Sequence, residues 1–440
     1  MNRGVALRAL GRLEEALAAQ DRVLALDASA AESWSNRGNV LQDLGRLEEA
    51  LTSYDRALAL QPGRIDAWVN RGNALRGLRR LDDALASLDR AIALNPDDAD
   101  GHYHRGLVLT DLRRLEEAEA ALDRALGLQS DHPWAALSKA MIPLLRGDLA
   151  RGWPLYEARR RTDPDGGPRA LRRPPWLGDT PLQGRTILVH AEQGLGDTIQ
   201  FCRYAALLAE RGARVILHVQ EPLLGLLKGL QGVDVLLAQG QTPPPFDLHC
   251  PLLSLPLALG ATLETIPAQR AYLAPRPDKV QAWAAALGPR TRPRIGLAWS
   301  GRAEHNNDRS RSLALAELVA QLPPGADYVS LQQEVRPSDQ AALAANPHIR
   351  FFGPRLTDFT QTAALVSLMD AVVSVDTSIA HLAGALGADT RLLLACIGQD
   401  WRWLLDRADS PWYPTMTLYR QGADCGWAEP LAAVWRDLAI

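Results

Sequence analysis

Residues 36–63 read NRGNVLQDLGRLEEALTSYDRALALQPG, and residues 70–97 read NRGNALRGLRRLDDALASLDRAIALNPD. The two lines match at an offset of 34 residues, and the match extends in both directions. NRG stands at Asn2, Asn36 and Asn70, with HRG at His104. GRLEEA begins at Gly11 and Gly45, RRLDDA at Arg79 and RRLEEA at Arg113. Asp-Arg recurs at Asp21, Asp55, Asp89 and Asp123, and Trp34 and Trp68 share one position of the period. Chance does not align a six-residue block four times, so the N-terminal part is a repeat array.

Each unit reads as two amphipathic helices. The first carries Trp34, Gly38 and Leu41, the second Ala50, Tyr54 and Ala57, and Pro62 ends it. The small residues Gly38 and Ala50 let the paired helices approach closely. The spacing resembles the tetratricopeptide repeat, over residues 1–161, with a worn fifth unit that ends in GWPLYEARR. Such arrays stack into a superhelix with a concave groove. Asn36 and Asn39, like Asn70 and Asn73, lie three apart and share a helix face. Their amides suit the backbone of an extended peptide partner in that groove; alternatively they bond between neighbouring repeats or face water. Met1 falls inside the first helix of its repeat, an apolar end that a longer chain or another surface is expected to cover.

The composition is that of a globular protein: 440 residues, 47% hydrophobic and 22% charged. A net charge of -3 supplies no basic footprint for nucleic acid. No window offers about 18 uninterrupted apolar residues, and the charged N-terminus lacks a signal peptide's apolar core, so a cytoplasmic protein without a membrane span is expected. Cys202, Cys250, Cys396 and Cys425 are scattered without a CxxC pair and read as reduced core residues.

From Thr162 to Arg185 proline and glycine mark a connector, residues 162–185. Its Asp163-Pro164-Asp165 mimics a metal-binding DxD but has no strand before it and reads as turn chemistry. Beyond it, strand-like runs (TILVHA, RVILHV, VDVLL, FDLHC) alternate with helix-like ones. After a proline-rich joint at 275–293 a second series follows: RIGLAWS, DYVSLQ, IRFFG, AVVSVD and TRLLLAC. The expected fold is therefore a helical solenoid followed by two Rossmann-like α/β domains, residues 186–274 and 294–440, facing across a cleft. Ligands belong outside the carboxyl ends of such strands.

Three stretches face that cleft. In QGLGDTIQF, Gly194 and Gly196 permit a tight strand-to-helix turn and Asp197 stands at the helix entrance, as a base or merely as the cap that starts the helix. In VSVDTSIAHLAGALG a strand ends at Val375 and a helix opens with Asp376, Thr377 and Ser378. The free N–H groups there suit a diphosphate, and His381 lies on the same face. The plain alternative is a capping Asp-Thr-Ser and a core histidine. In WSGRAEHNNDRSRSL, His305, Asn307, Arg309 and Arg311 sit between a strand and a helix that Ser312 is placed to cap, and the arginines suit phosphate oxygens.

Residues 186 to about 420 resemble the ADP-heptose:lipopolysaccharide heptosyltransferase family (glycosyltransferase family 9), through LGDTIQF and SVDTSIAHLAGALG. The loop GRAEHNNDRSRS and the tail DWRWLLDRADSPWYP look like a subgroup in which a related domain is fused to tetratricopeptide repeats. The likeness to protein O-GlcNAc transferases is one of architecture only. The resemblance implies a GT-B fold, Asp197 as base, and Asp376, Thr377, Ser378 and His381 at the donor. The family's phosphate-binding lysine has no match, and Arg309 or Arg311 stands as its substitute. The implied activity is that of an inverting, metal-independent glycosyltransferase without a cofactor, using a nucleotide-diphospho-sugar as donor and a repeat-bound protein or glycan as acceptor. No His/Cys cluster has metal-ligand spacing. The rival expectation is a non-catalytic scaffold carrying a degenerate transferase domain.

Overall fold

The computed structural model describes residues 3–162, 171, 174–302, 308–398, 400–422 and 424–440, with the backbone alone at Arg309. Contacts divide the chain into two units, Met1–Ile142 and Pro143–Ile440. The division falls within the helix Pro133–Leu145. Met1, Asn2, Asp163-Pro164-Asp165, His305 and Asn307 lie outside the described residues, as does the side chain of Arg309.

The first unit is a stack of helical hairpins: Leu13–Leu26, Ala31–Asp43, Leu47–Leu60, Ile65–Gly77, Leu81–Leu94, Ala99–Asp111 and Leu115–Leu128 follow the short helix Arg3–Ala9. The repeat motifs now have causes. A Cβ at Gly38 would meet Tyr54 Cε1 at 2.5 Å, and one at Gly72 would meet Leu88 Cγ at 2.7 Å, so glycine is what lets the two helices of a hairpin touch. In the three later NRG and HRG motifs the arginine pairs with the aspartate of the preceding Asp-Arg: Arg37–Asp21, Arg71–Asp55 and Arg105–Asp89, each at 2.7 Å. Such half-exposed pairs add little energy each, but their spacing fixes the register of the stack. The turn between paired helices is left-handed, with φ of 72° at Gly11 and 74° at Gly45, and the same turn falls on Arg79 (66°) and Arg113 (58°). A side chain is strained there by about 1–2 kcal/mol. Gly147 holds the same turn at φ 80°, in register with the worn fifth unit.

The second unit contains two sheets, every ladder parallel. In the first, β1 (Thr186–His190), β2 (Arg214–Val219), β3 (Val235–Ala238) and β4 (Leu248–Pro251) lie in the order β3-β2-β1-β4. In the second, β5 (Arg294–Ala298), β6 (Asp327–Ser330), β7 (Ile349–Phe351), β8 (Ala371–Val375), β9 (Thr390–Leu394) and β10 (Met416–Arg420) lie in the order β10-β9-β8-β5-β6-β7. Most of these strand residues are buried, because helices cover parallel sheets on both faces. The order reverses between β1 and β4 and between β5 and β8, and such switch points open crevices at the strands' carboxyl ends. The helix Leu149–Tyr156 belongs to this unit too: Trp153 Nε1 donates to the Ala261 carbonyl at 2.9 Å and Trp153 meets Trp401 edge-on at 5.2 Å.

Three expectations need correction. The strand series does not stop at TRLLLAC; MTLYR adds β10, whose apolar run is too short to stand out behind the tryptophan-rich loop preceding it. Ser312 caps no helix: its hydroxyl donates to Asp308 Oδ1 at 2.8 Å, and the following helix, Leu315–Val319, starts after Ala314. The four cysteines are not all reduced. Cys396 and Cys425 form a disulfide with Cα atoms 5.7 Å apart, while Cys202 and Cys250 are buried free thiols. A separation of 29 residues hid the pairing, because only the return of the chain through β10 brings the two together.

Candidate functional site

Residue Asp197 lies in the first turn of the helix Leu195–Phe201, which leaves the carboxyl end of β1. Its Oδ2 accepts from the Gly194 N–H at 2.8 Å, so it does cap its own helix. The other oxygen, Oδ1, accepts from Arg402 Nη2, which joins the first sheet's helix to the loop after β9. Arg402 also donates from Nη1 to Asp400 Oδ2 at 2.8 Å and from Nε to Gln200 Oε1 at 2.7 Å. Its guanidinium lies 4.5 Å from the Trp401 ring centroid and 5.6 Å from that of Phe201. Burial raises the Asp197 carboxyl above the ordinary aspartate value; Arg402 opposes this and Asp400 adds to it. A pKa pushed upward by desolvation is what a general base at neutral pH needs, although a structural ion pair can show the same shift.

Across from this helix stands the one that follows β8, Ser378–Ala385. The two approach closely at Gly196, where a Cβ would meet His381 Cδ2 at 2.8 Å and Ser378 Cα at 3.5 Å. Gly196 therefore serves close packing, and the conformational freedom of glycine is not what the position uses. His381 is buried; its Nδ1 shares a 2.9 Å hydrogen bond with Tyr413 Oη, and its ring stacks on Trp403 at 5.4 Å. Burial, with Arg402 beside it, lowers its pKa to about 3, so the imidazole is neutral. The expectation of a histidine held for an anion gives way, in its charge, to a neutral packed ring.

Asp376 is the second acid of the gap. Trp403 Nε1 donates to its Oδ2 at 2.9 Å, and Arg311 Nη1 donates to its backbone carbonyl at 3.1 Å. Burial and the nearby Asp400 push its carboxyl up to about 7. Thr377 is buried, with its hydroxyl 3.4 Å from that of Ser374, and Ser378 opens the helix. Arg311 lies over Gly301, where a Cβ would meet its Nη2 at 2.4 Å. Arg336 Nη2 donates to the Gly301 carbonyl at 2.8 Å and to Asp308 Oδ2 at 2.6 Å. The Nε of both arginines is buried without a hydrogen-bond partner among the described residues, and that of Arg311 lies 3.8 Å from Asp308 Oδ1.

The structure thus gathers Gly194, Gly196, Asp197, Asp376, Thr377, Ser378, His381 and Arg311 around one junction of two sheets. It adds Arg402, Asp400, Gln200, Trp403, Tyr413 and Arg336. The first four of these additions lie in QFCRY and DWRW, where nothing but the arginine between two tryptophans signals a site. Arg203, also in QFCRY, crosses the same junction, donating from Nη1 to the Trp412 carbonyl at 2.7 Å and from Nη2 to Tyr272 Oη at 2.8 Å. Among the described residues no group of three or more His, Cys, Asp or Glu is placed to hold a metal ion.

In the first unit the asparagines are partly spent between repeats. Asn70 Nδ2 donates to Asn39 Oδ1 at 2.9 Å, the Tyr54 hydroxyl donates to the same oxygen at 2.8 Å, and Asn73 Nδ2 lies 3.3 Å from His104 Nε2. Asn36 instead lines a cavity of about 340 Å³ with Gly4, Arg8, Gln20 and Asp43.

Tetratricopeptide-repeat family models match residues 4–45, 31–64 and 69–133. The first unit is a tetratricopeptide-repeat solenoid, and the second is an α/β unit of parallel sheets and helices. Protein FlbA of Caulobacter vibrioides is 26% identical over 310 residues, 64% of this chain and 51% of its own length. The chain thus spans about half the length of the curated relative it matches. Among solved structures, TTC0263, a thermophilic tetratricopeptide-repeat protein of Thermus thermophilus, is 29% identical, with a TM-score of 0.34 over 37% of this chain and 89% of its own. YrrB, described as a tetratricopeptide-repeat protein with an unusual peptide-binding site, is 25% identical, with a TM-score of 0.31 over 37% of this chain and 84% of its own. No helix among the described residues is long and apolar enough to cross a membrane.

Proposed function

We propose that the second unit is a GT-B-type glycosyltransferase similar to the heptosyltransferase family, moving a sugar from a nucleotide-diphospho-sugar to an acceptor hydroxyl. The observation that carries the reading is the meeting of two switch-point helices, with Asp197 on one, His381 on the other, and Asp376 and Thr377 in the turn that leads into the second. In this reading Asp197 takes the acceptor proton as the hydroxyl oxygen attacks the anomeric carbon. The bond to the diphosphate breaks with its electron pair leaving on phosphate, and the sugar's configuration inverts. The N–H groups opening Ser378–Ala385 and the positive charges of Arg311 and Arg336 suit that departing charge. The repeats recruit the acceptor, a polypeptide or its glycan.

One observation favours a second reading, a tetratricopeptide-repeat interaction scaffold whose transferase-like unit is inactive. Both oxygens of Asp197 already accept hydrogen bonds, from Gly194 and Arg402. Thermal unfolding with a panel of nucleotide sugars separates the two. A donor at about 100 times its Kd stabilises by about 2.7 kcal/mol, a rise of several degrees. The transferase reading expects one member of the panel to do this; a flat response to all of them supports the scaffold.

A further inference from the structure

We propose that the Cys396–Cys425 disulfide is a redox-controlled tether for the loop that presents Asp400 and Arg402 to Asp197. Cys396 lies just past the end of β9, four residues before Asp400 and six before Arg402. Cys425 lies two residues before Trp427, the cap residue of the C-terminal helix Ala428–Leu438. The bond therefore anchors the clasp loop to the base of a helix packed in the core of the second sheet.

Two noncovalent ties run alongside it. The Cys396 N–H donates to Gln421 Oε1 at 3.1 Å, and Arg420 Nη2 donates to the Trp403 carbonyl at 2.7 Å. Opening the disulfide thus loosens the loop without freeing it. The loop has reason to relax, because Leu404 and Asp406 sit at φ of 53° and 55°, and Cys425 itself at 55°. Side chains adopt such angles only where the surroundings hold them. Both bonded cysteines are half-buried. The free cysteines are fully buried, and burial pushes the Cys202 thiol up to about 12 and raises Cys250 as well.

The reductant is a dithiol. One of its thiolates attacks a sulfur of the pair, giving a mixed disulfide and releasing the other cysteine as thiolate. Its second thiol then displaces the remaining cysteine, so two electrons and two protons pass to Cys396 and Cys425 and the reductant leaves oxidised. Loosening the loop weakens the hold of Arg402 on the Asp197 carboxylate, a consequence that for transfer rests on the glycosyltransferase reading.

Hydrogen exchange of the full chain, oxidised and then treated with a dithiol reductant, tests the tether without any activity assay. On reduction, exchange in residues 400–404 and in Leu195–Phe201 rises at least about tenfold, while β5 and β8 keep their protection. The double variant Cys396→Ser/Cys425→Ser exchanges like the reduced protein and ignores the reductant. Equal exchange in both redox states overturns the proposal. So does exchange that rises in β5 and β8 as well, which marks a plain structural staple, and so does alkylation of all four cysteines in denatured protein that has met oxidant but no reductant. A tether that responds in a protein that transfers no sugar sinks the glycosyltransferase reading alone.

Discussion

Replacing Arg402 with methionine removes the cation that pairs with both Asp197 and Asp400 while keeping an apolar stem over Phe201 and Trp401. In the native protein the Arg402 side chain is 5% exposed and those of Asp197 and Asp400 are 19% and 32% exposed. Removing one partner of a buried pair leaves the other charge uncompensated, at about 3–5 kcal/mol. The partial exposure of both carboxylates argues for the lower end, about 3 kcal/mol, or a fall in Tm of roughly 6–12 °C for a unit of this size. The sign with pH follows from Asp197. Burial already raises its carboxyl and Arg402 opposes the rise, so Arg402→Met lifts it further. The variant's deficit is then largest at pH 7 and shrinks as acid protonates the stranded carboxylate. Chemical unfolding of both proteins at pH 7 and pH 4.5 reads this directly. A deficit below about 1 kcal/mol at pH 7, or one that is the same at both pH values, refutes the claim that Arg402 is an electrostatic clasp.

Other substitutions probe the same account. Asp376→Asn keeps an acceptor for Trp403 but cannot ionise. A carboxyl raised to about 7 in the fold loses stability as pH rises past its unfolded value, so the variant should match the native protein near pH 4 and exceed its stability by about 1–3 kcal/mol at pH 8. Denaturant midpoints across that range decide, and a constant gap counts against it. His104 is half-buried in the solenoid, and desolvation lowers its pKa to about 4; stability there is whole above the ordinary histidine value and falls on acidification by up to about 1.4 kcal/mol per pH unit. His104→Gln should flatten that slope in a circular-dichroism titration of the helices, and an unchanged slope would contradict it. Gly72→Ala should destabilise the solenoid by about 1–3 kcal/mol despite alanine's better helix propensity, since its methyl lies 2.7 Å from Leu88 Cγ; a rise in Tm would show that the hairpin yields instead.

The solenoid was legible because it repeats. NRG, the Asp-Arg pair and the glycine turn recur at a fixed interval, and each maps to one contact repeated along the stack. The parallel sheets were legible from apolar runs alternating with helix-like ones, and β10 escaped because its run is short. At the junction, sequence found the residues that follow strands, Asp197 and Asp376 to His381, because strand ends, small residues and capping residues announce them. It missed Arg402, Asp400 and Trp403, whose place depends on how the chain returns between the two sheets. For the groove asparagines the structure takes the second of the two readings: the neighbouring repeat supplies partners, Asn70 for Asn39 and His104 for Asn73. The cysteine pair was invisible for the same reason as Arg402, since it is formed by tertiary return rather than by spacing.

The most direct test compares native protein and Asp197→Asn in a sugar-transfer assay, with the donor picked out by thermal stabilisation and with donor binding measured on both. The account predicts transfer by the native protein and a loss of about 10²–10⁴-fold in the variant, with donor binding unchanged. Undiminished transfer by Asp197→Asn would remove the base, and a native protein that binds no nucleotide sugar would remove the enzyme.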